Sequence, residues 1–97
     1  MIIVHDTFVC KPGNASKLAK MFKEMMKDQE SFVNIMTDMT GQYNRVIMVS
    51  QYENLAAYEK SFEKYMKESE EQKKMNEKMA GYTDMYMSGS RNIYRVW

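Results

Sequence analysis

The opening segment of the chain resembles a β-strand that is apolar on both faces, and this feature constrains the fold most. Side chains alternate along a strand. Within residues 2–10, one face would therefore carry Ile3, Thr7 and Val9, and the other Ile2, Val4, Phe8 and Cys10. Residues 45–50 form a similar run. Such strands are normally buried on both faces. Only two helical layers are expected, both on one side of the sheet, so the other side needs a partner, most simply a second copy of the chain.

Size and charge exclude several classes of function. The 97 residues make one domain, residues 1–97, with a modest core. With 14 basic and 13 acidic residues the net charge is +1, which argues against nucleic acid or an anionic membrane as a partner. No apolar run approaches the roughly 20 residues of a membrane span. The single cysteine forms no intramolecular disulfide, and we expect a cytoplasmic protein.

Periodicity and turn residues divide the chain into short strands and helices. Asn14, after Lys11-Pro12-Gly13, and Asn54 are the expected helix caps, with Gly13 or Ser16 as alternatives to Asn14. Ser88-Gly89-Ser90 is expected to divide the tail into two extended pieces. The buried stripe of the second helix is predicted to be Leu55, Tyr58, Phe62, Tyr65 and Met66. The predicted elements lie at about residues 2–10 (strand), 15–28 (helix), 31–39 and 43–52 (strands), 55–66 and 70–79 (helical), and 82–87 and 91–97 (extended).

This order, strand-helix-strand-strand-helix-strand, predicts an α+β fold of the ferredoxin-like βαββαβ type. Right-handed crossovers place both main helices on one face of a four-stranded antiparallel sheet. The first strand is then expected between the third and the fourth. The uncovered face of the sheet is the predicted homodimer surface.

Three segments resemble the dimeric α/β-barrel superfamily, in particular its NIPSNAP-like and antibiotic-biosynthesis-monooxygenase-like members. They are Lys11-Pro12-Gly13 after an apolar strand, the strand-to-helix connection at residues 51–58, and the closing strand at residues 90–97. In NIPSNAP-like members the first strand often carries an acid and an arginine, and both are replaced here. The resemblance implies a homodimer whose two sheets form a barrel, with a cleft between helices and sheet or within the barrel. It permits cofactor-independent monooxygenase or isomerase chemistry on a small apolar or aromatic ligand.

The residues needed for haem degradation, another activity of this superfamily, do not fit. That branch uses an asparagine, a tryptophan and a haem-ligating histidine on a helix. Here the only histidine, His5, lies in a predicted strand, Asp6 stands there rather than asparagine, and Trp97 is the last residue. One histidine with scattered carboxylates also meets no metal-ligand spacing rule. We predict neither a metal nor another cofactor.

His5 and an acid–arginine pair are the candidates for chemistry. An imidazole ordinarily titrates near neutral pH, so His5 is the tentative catalytic base, with a packed structural histidine as the alternative. Asp6 points to the opposite face from His5. Because the last strand should lie beside the first, we predict that Asp6, or an acid of a partner chain, pairs with Arg91 or Arg95. The pair either fixes the strand register or dimer, or presents an arginine to a substrate carboxylate.

Further polar residues are candidates for lining a pocket. Asn34, Asp38, Arg45 and Ser50 interrupt apolar strands, and a plain core gains nothing from them. Tyr94 joins them as one of seven tyrosines available to an aromatic ligand, although those at helical spacing are better explained as core. Two functions stay open. One is a small-molecule enzyme whose pocket contains His5 and an arginine, and the other is a non-catalytic binding or structural dimer.

Overall fold

The computed structural model describes residues 1–40, 43–66, 73, 74, 77 and 81–97, with the backbone alone for 64–66. A short 3-10 helix at Tyr82–Asp84 precedes the last strand. Residues 73, 74 and 77 are helical, and the rest of the helical segment predicted at 70–79 lies outside the described residues. The strands and main helices are β1 (Ile2–Cys10), α1 (Ala15–Met26), β2 (Phe32–Thr37), β3 (Arg45–Tyr52), α2 (Leu55–Met66) and β4 (Tyr86–Arg95).

The four strands form one antiparallel sheet in the order β2-β3-β1-β4. β1 therefore lies between β3 and β4, as the ferredoxin-like prediction requires. Both helices lie on the same face of the sheet. Cys10 of β1 packs with α1, whereas Asp6, which shares its face by alternation, lies near the α2 residue Tyr58. The predicted fold class and strand order are confirmed.

The best-buried part of the core lies between α1 and the sheet. Leu18 and Phe22 of α1 pack with Cys10 of β1 and Val46 of β3, and all four side chains are almost fully buried. The ring of Phe8 lies against that of Phe22, with 5.0 Å between the centroids. Burial of one large apolar side chain stabilises a fold by about 1.5–3 kcal/mol. This cluster therefore fixes the position of α1 on the sheet.

The two helices begin differently although an asparagine precedes each. The side-chain oxygen of Asn54 accepts a hydrogen bond from the Ala57 N–H at 2.8 Å, so it caps α2 as predicted. Asn14 occupies the cap position of α1, but its side chain makes no capping hydrogen bond. Its backbone carbonyl instead accepts the Leu18 N–H at 2.9 Å, after a turn in which Gly13 has a φ of +81°.

A bulge changes the alternation of side chains along β2. Phe32 lies opposite Ser50, and Asn34 lies opposite the adjacent residue, Val49. Val33 is thus the extra residue. As a result Phe32 shares the helix-covered side with Ile35, whereas strict alternation along the strand would have put it on the other side.

The predicted division of the tail is wrong. β4 continues through Ser88, Gly89 and Ser90, which pair with Val9, Phe8 and Thr7 of β1. The ladder along β1 therefore overrides the turn preference of these small residues. A Cβ placed on Gly89 would lie 3.7 Å from the Phe8 ring, so this glycine sits where the backbone passes close to an aromatic side chain. The predicted extended piece at 82–87 is instead the 3-10 helix and the beginning of β4.

The apolar stripe predicted for α2 is only partly buried. Tyr58 is 8 % exposed, but Phe62 is 37 % and Leu55 is 57 % exposed. The side chains of Tyr65 and Met66 lie outside the described part of the chain. On the sheet below α2, the Asp6–Arg91 pair stands beside the apolar residues Val4 and Ile93. α2 therefore covers a surface of mixed polarity.

The opposite side of the sheet, here called the open face, is not covered by α1 or α2. On β1 it carries Ile3, His5, Thr7 and Val9, and the facing residues of β3 include Ile47 and Val49. The β4 side of the same face is polar, with Ser90 and Asn92. Within the described ranges, no helix combines the length and apolar character needed to cross a membrane.

Candidate functional site

The most unusual group below α2 is an ion pair between Asp6 and Arg91. The two residues face each other in the register of β1 and β4. Arg91 Nε donates a hydrogen bond of 2.6 Å to Asp6 Oδ1. The Asp6 side chain is 12 % exposed, and that of Arg91 is 49 % exposed. The predicted pairing of Asp6 with an arginine of the last strand is confirmed, and the arginine is Arg91.

Three aromatic rings adjoin this ion pair. The guanidinium carbon of Arg91 lies 5.7 Å from the ring centroid of Tyr58 and 5.5 Å from that of Phe62, within the range of cation–π attraction. The Tyr58 ring meets those of Tyr52 and Phe62 nearly edge to face, at 5.0 Å and 4.9 Å. The Arg91 site, as named here, consists of Asp6, Arg91, Tyr52, Tyr58 and Phe62.

The hydroxyl of Tyr58 is buried in this site and has no partner in good hydrogen-bond geometry, although the Arg91 guanidinium is near enough to interact with it. Burial raises the pKa of the Tyr58 phenol above its ordinary value, and the nearby positive charge of Arg91 offsets part of that rise. The phenol therefore keeps its proton at neutral pH and is a donor. An unpaired buried polar group costs about 1–3 kcal/mol, so this hydroxyl is the kind of group that a bound ligand would satisfy.

Arg91 supplies a permanent positive charge to the site. Its hydrogen bond to Asp6 is the main cause that raises the pKa of the guanidinium further above its ordinary value, although partial burial opposes the rise. A guanidinium remains protonated under all ordinary conditions and presents a planar fork of donors. The site therefore combines a fixed cation, a carboxylate, a phenol donor and flat apolar surfaces.

Two surface grooves flank the sheet near its ends. The larger, of about 730 Å³, lies beside α2 and reaches the Arg91 site through Tyr52. Its lining also includes the acidic residues Asp28, Glu30 and Glu53 and the cation Lys60. The smaller, of about 320 Å³, lies at the start of α1 and is lined in part by Asp38 and Arg45. Tyr52 is the member of the Arg91 site that lines the larger groove.

Asp38 and Arg45 are close together at the smaller groove, away from the Arg91 site. Asp38 Oδ1 accepts the backbone N–H of Arg45 at 2.6 Å, which ties the end of β2 to the start of β3. The Nε atom of Arg45 is buried without a hydrogen-bond partner. These contacts place both residues in a structural connection between strands.

The remaining predicted site residues are spread over both faces of the sheet. His5 lies on the open face, with its ring 5.2 Å from that of Tyr94, edge to face. Ser50 is buried on the helix-covered face opposite Val4, whereas Asn34 is exposed. The guanidinium of Arg95 lies 6.0 Å from the Trp97 ring.

Register explains why His5 and Arg91 do not meet. His5 pairs with Asn92, whereas Asp6 pairs with Arg91, and consecutive residues of a strand point to opposite sides. Neither Arg91 nor Arg95 is therefore the arginine of the expected pocket of His5 and an arginine. Arg45, opposite Val9, is the arginine that shares the side of His5.

Sequence reasoning assigned Tyr58 and Phe62 to the core and missed their contact with Arg91. The available signal was their helical spacing combined with the charged residue on the strand they cover. Within the described residues, no group of three or more His, Cys, Asp or Glu side chains is arranged to hold a metal ion. The predicted absence of a cofactor stays a prediction.

Comparison with known proteins gives a consistent fold assignment. A family model described as NIPSNAP matches residues 5–88. An uncharacterized NIPSNAP domain protein from Burkholderia xenovorans superposes with a TM-score of 0.79 at 10 % identity, covering 100 % of this chain and 95 % of that one. A NIPSNAP family protein from Agrobacterium tumefaciens has a TM-score of 0.75 at 13 % identity, covering 97 % and 90 %.

A more distant neighbour comes from Deinococcus radiodurans, and its name gives it a proposed role as an antibiotic biosynthesis monooxygenase. It has a TM-score of 0.59 at 12 % identity and covers 100 % of this chain and 93 % of that one. No curated protein sequence matches the chain. At these identities the structural neighbours establish the fold alone.

Proposed function

This chain belongs to the NIPSNAP family, and we propose that it is a cytoplasmic homodimer that binds a small apolar or aromatic molecule at the Arg91 site of each protomer. The observation that carries the proposal is the combination of Asp6, Arg91 and the unpaired Tyr58 hydroxyl below one helix. An ion pair with one nearly buried partner, as here, is seldom a better stabiliser than packed apolar side chains. Convergent polar groups among aromatic rings are typical of ligand sites.

The homodimer half of the proposal rests on the open face. Its centre is apolar, with Ile3 and Val9 of β1 next to Ile47 of β3, and these three side chains are partly exposed in the single chain. A small domain that leaves such a surface exposed to solvent lacks the stabilisation that burial would provide. Pairing two sheets face to face would bury this surface in both copies and would bring His5 into the interior of the barrel.

In its enzymatic form the proposal is a cofactor-independent monooxygenase- or isomerase-like activity, as the family resemblance permits. An isomerisation of this kind begins with removal of a proton from the bound molecule. At the Arg91 site the proton acceptor would be Asp6, positioned by Arg91, and the phenol of Tyr58 would stabilise developing negative charge. His5 lies on the other side of the sheet, so its tentative role as base would require a second site inside the barrel.

A structural dimer without a ligand is the second candidate, and one observation favours it. Asp6 and Arg91 are direct partners in the strand register. An ion pair in that position resists a slip of β4 along β1, because a shift of one residue would turn Arg91 to the open face. On this alternative the Arg91 site binds no ligand, and its ion pair only fixes the register between β1 and β4.

Native mass spectrometry of protein purified from its source cells tests the two candidates together. The proposal predicts a dimer that retains a small molecule. The variant Asp6→Asn/Arg91→Gln, which removes both charges, should keep the dimer and lose the small molecule. Arg95→Gln, on the same face of β4, is the matched control and should retain it. If the unaltered protein is a dimer whose mass equals that of two polypeptide chains, the structural alternative is favoured. A monomer would refute the homodimer.

A further inference from the structure

The Arg91 site also indicates the chemical class of its ligand, an inference that rests on the proposed function. We propose that the ligand is an aromatic carboxylic acid, with its carboxylate bound by Arg91 and its ring packed against Phe62. The geometry of the guanidinium supports the carboxylate, and the arrangement of rings on α2 supports the aromatic body.

The guanidinium has donors to offer beyond its bond to Asp6. It carries five N–H groups in a plane, and the 2.6 Å bond to Asp6 Oδ1 uses the one on Nε. The terminal nitrogens hold the other four. Since 49 % of the Arg91 side chain is exposed, the group lies at the solvent boundary. Two parallel N–H groups match the two oxygens of a carboxylate.

The charge of the site argues against a ligand with two negative charges. Asp6 already balances the charge of Arg91. A dianion such as phosphate would therefore be repelled by the Asp6 carboxylate without a net positive charge to offset the repulsion. Phosphate sites ordinarily supply several cationic or backbone donors. A monocarboxylate needs one fork of donors, and Arg91 supplies it. The hydroxyl of Tyr58 is a second, neutral hydrogen-bond donor for the carboxylate, and it lies close to Arg91.

The rings of the site favour an aromatic body for the ligand. Tyr52, Tyr58 and Phe62 follow one another edge to face, with interplanar angles of 69° and 76°. Phe62, at the end of this series, is 37 % exposed, so one more ring can pack against it in the same way. Ile93, two residues along β4 on the same face as Arg91, is 42 % exposed and adds an apolar surface. The apolar surface and the cation therefore adjoin.

Isothermal titration with 2-naphthoate and its neutral amide, 2-naphthamide, tests this inference. The unaltered protein should bind 2-naphthoate about tenfold or more tightly than 2-naphthamide, since only the acid matches the guanidinium fork. Asp6→Asn/Arg91→Gln should weaken 2-naphthoate by about tenfold or more. Tyr58→Phe should weaken it by about three- to tenfold, through the loss of one donor. Circular dichroism confirms that each variant is folded.

The matched control is Arg95→Gln, which removes a cation from the same face of β4 and should leave 2-naphthoate binding unchanged. Equal binding of the acid and the amide would overturn the inference. So would binding that survives Asp6→Asn/Arg91→Gln, or failure of 2-naphthoate to bind at millimolar concentration. A retained natural ligand without a carboxyl group would overturn the inference and leave the proposed function intact. A dimer that carries no small molecule would refute the proposed function itself.

Discussion

Removing either partner of the Asp6–Arg91 pair should destabilise the protein, and the replacement of Arg91 should cost more. Asp6 is nearly buried, whereas half of the Arg91 side chain is exposed. In Arg91→Met a carboxylate is left below α2 without its partner. In Asp6→Asn the guanidinium keeps access to water and can turn towards it. The predicted difference thus arises from burial, because both variants lose the same hydrogen bond.

The magnitudes follow from the exposure of each group. Breaking a fully buried ion pair by removing one partner costs about 3–5 kcal/mol. Because this pair reaches solvent through Arg91, we expect the lower end, about 3 kcal/mol, for Arg91→Met. Asp6→Asn should cost about 1 kcal/mol, comparable with one hydrogen bond. Asp6→Asn/Arg91→Met leaves no unpaired charge and should also cost about 1 kcal/mol. In a domain of this size 1 kcal/mol corresponds to roughly 4–8 °C in Tm.

Urea unfolding followed by circular dichroism measures these differences. All variants are compared at neutral pH and at one protomer concentration, because association would otherwise change the apparent stability. Arg95→Met is the control and should change the free energy of unfolding by less than about 0.5 kcal/mol. The reasoning is refuted if Asp6→Asn costs as much as Arg91→Met, or if the double variant is as unstable as Arg91→Met.

Three further predictions concern single positions. Asn54→Ala should lower the free energy of unfolding by about 1 kcal/mol in urea titrations, whereas Asn14→Ala should change it by less than about 0.3 kcal/mol, because only Asn54 makes a side-chain capping bond; equal losses would contradict this. Burial raises the pKa of the Cys10 thiol, so less thiolate forms at any given pH, and a disulfide reagent at pH 8 should label it only as urea unfolds the protein. Gly81→Ala should cost about 1 kcal/mol or more because its φ is +83°. Gly89→Ala, where a Cβ meets only ordinary contacts, should be neutral within about 0.5 kcal/mol in thermal unfolding. The reverse order for the two glycines would show that backbone conformation does not decide their tolerance.

The element order and sheet topology are predictable because they depend on local patterns and on one general rule. Alternation marks β1 and β3, helical spacing marks α1 and α2, and right-handed crossovers then leave one arrangement of four strands. The ends of the elements are less predictable. α1 ends at Met26, two residues before its predicted end, since no strong stop signal follows it.

The tail shows how tertiary pairing overrides local preference. Ser88-Gly89-Ser90 has the composition of a turn, yet it continues β4 because each of these residues has a partner on β1. A long neighbouring strand supplies backbone hydrogen bonds to whatever sequence lies beside it. The bulge at Val33 is a second case, since the pattern of residues 31–39 is compatible with strict alternation, and only the pairing with β3 reveals the extra residue.

The part of the candidate site that lies on the strands was predictable from strand pairing. Once β4 is placed beside β1, alternation puts Arg91 on the side of Asp6 and separates both from His5. The contact of Arg91 with Tyr58 and Phe62 depends in addition on how α2 lies across the sheet, which helical spacing does not determine. A stripe of Leu55, Tyr58 and Phe62 is compatible with a fully buried helix, and only the structure shows that Leu55 and Phe62 stay partly exposed. A charged residue on a strand below an aromatic residue of the covering helix is therefore a better indicator of a binding site than either residue alone.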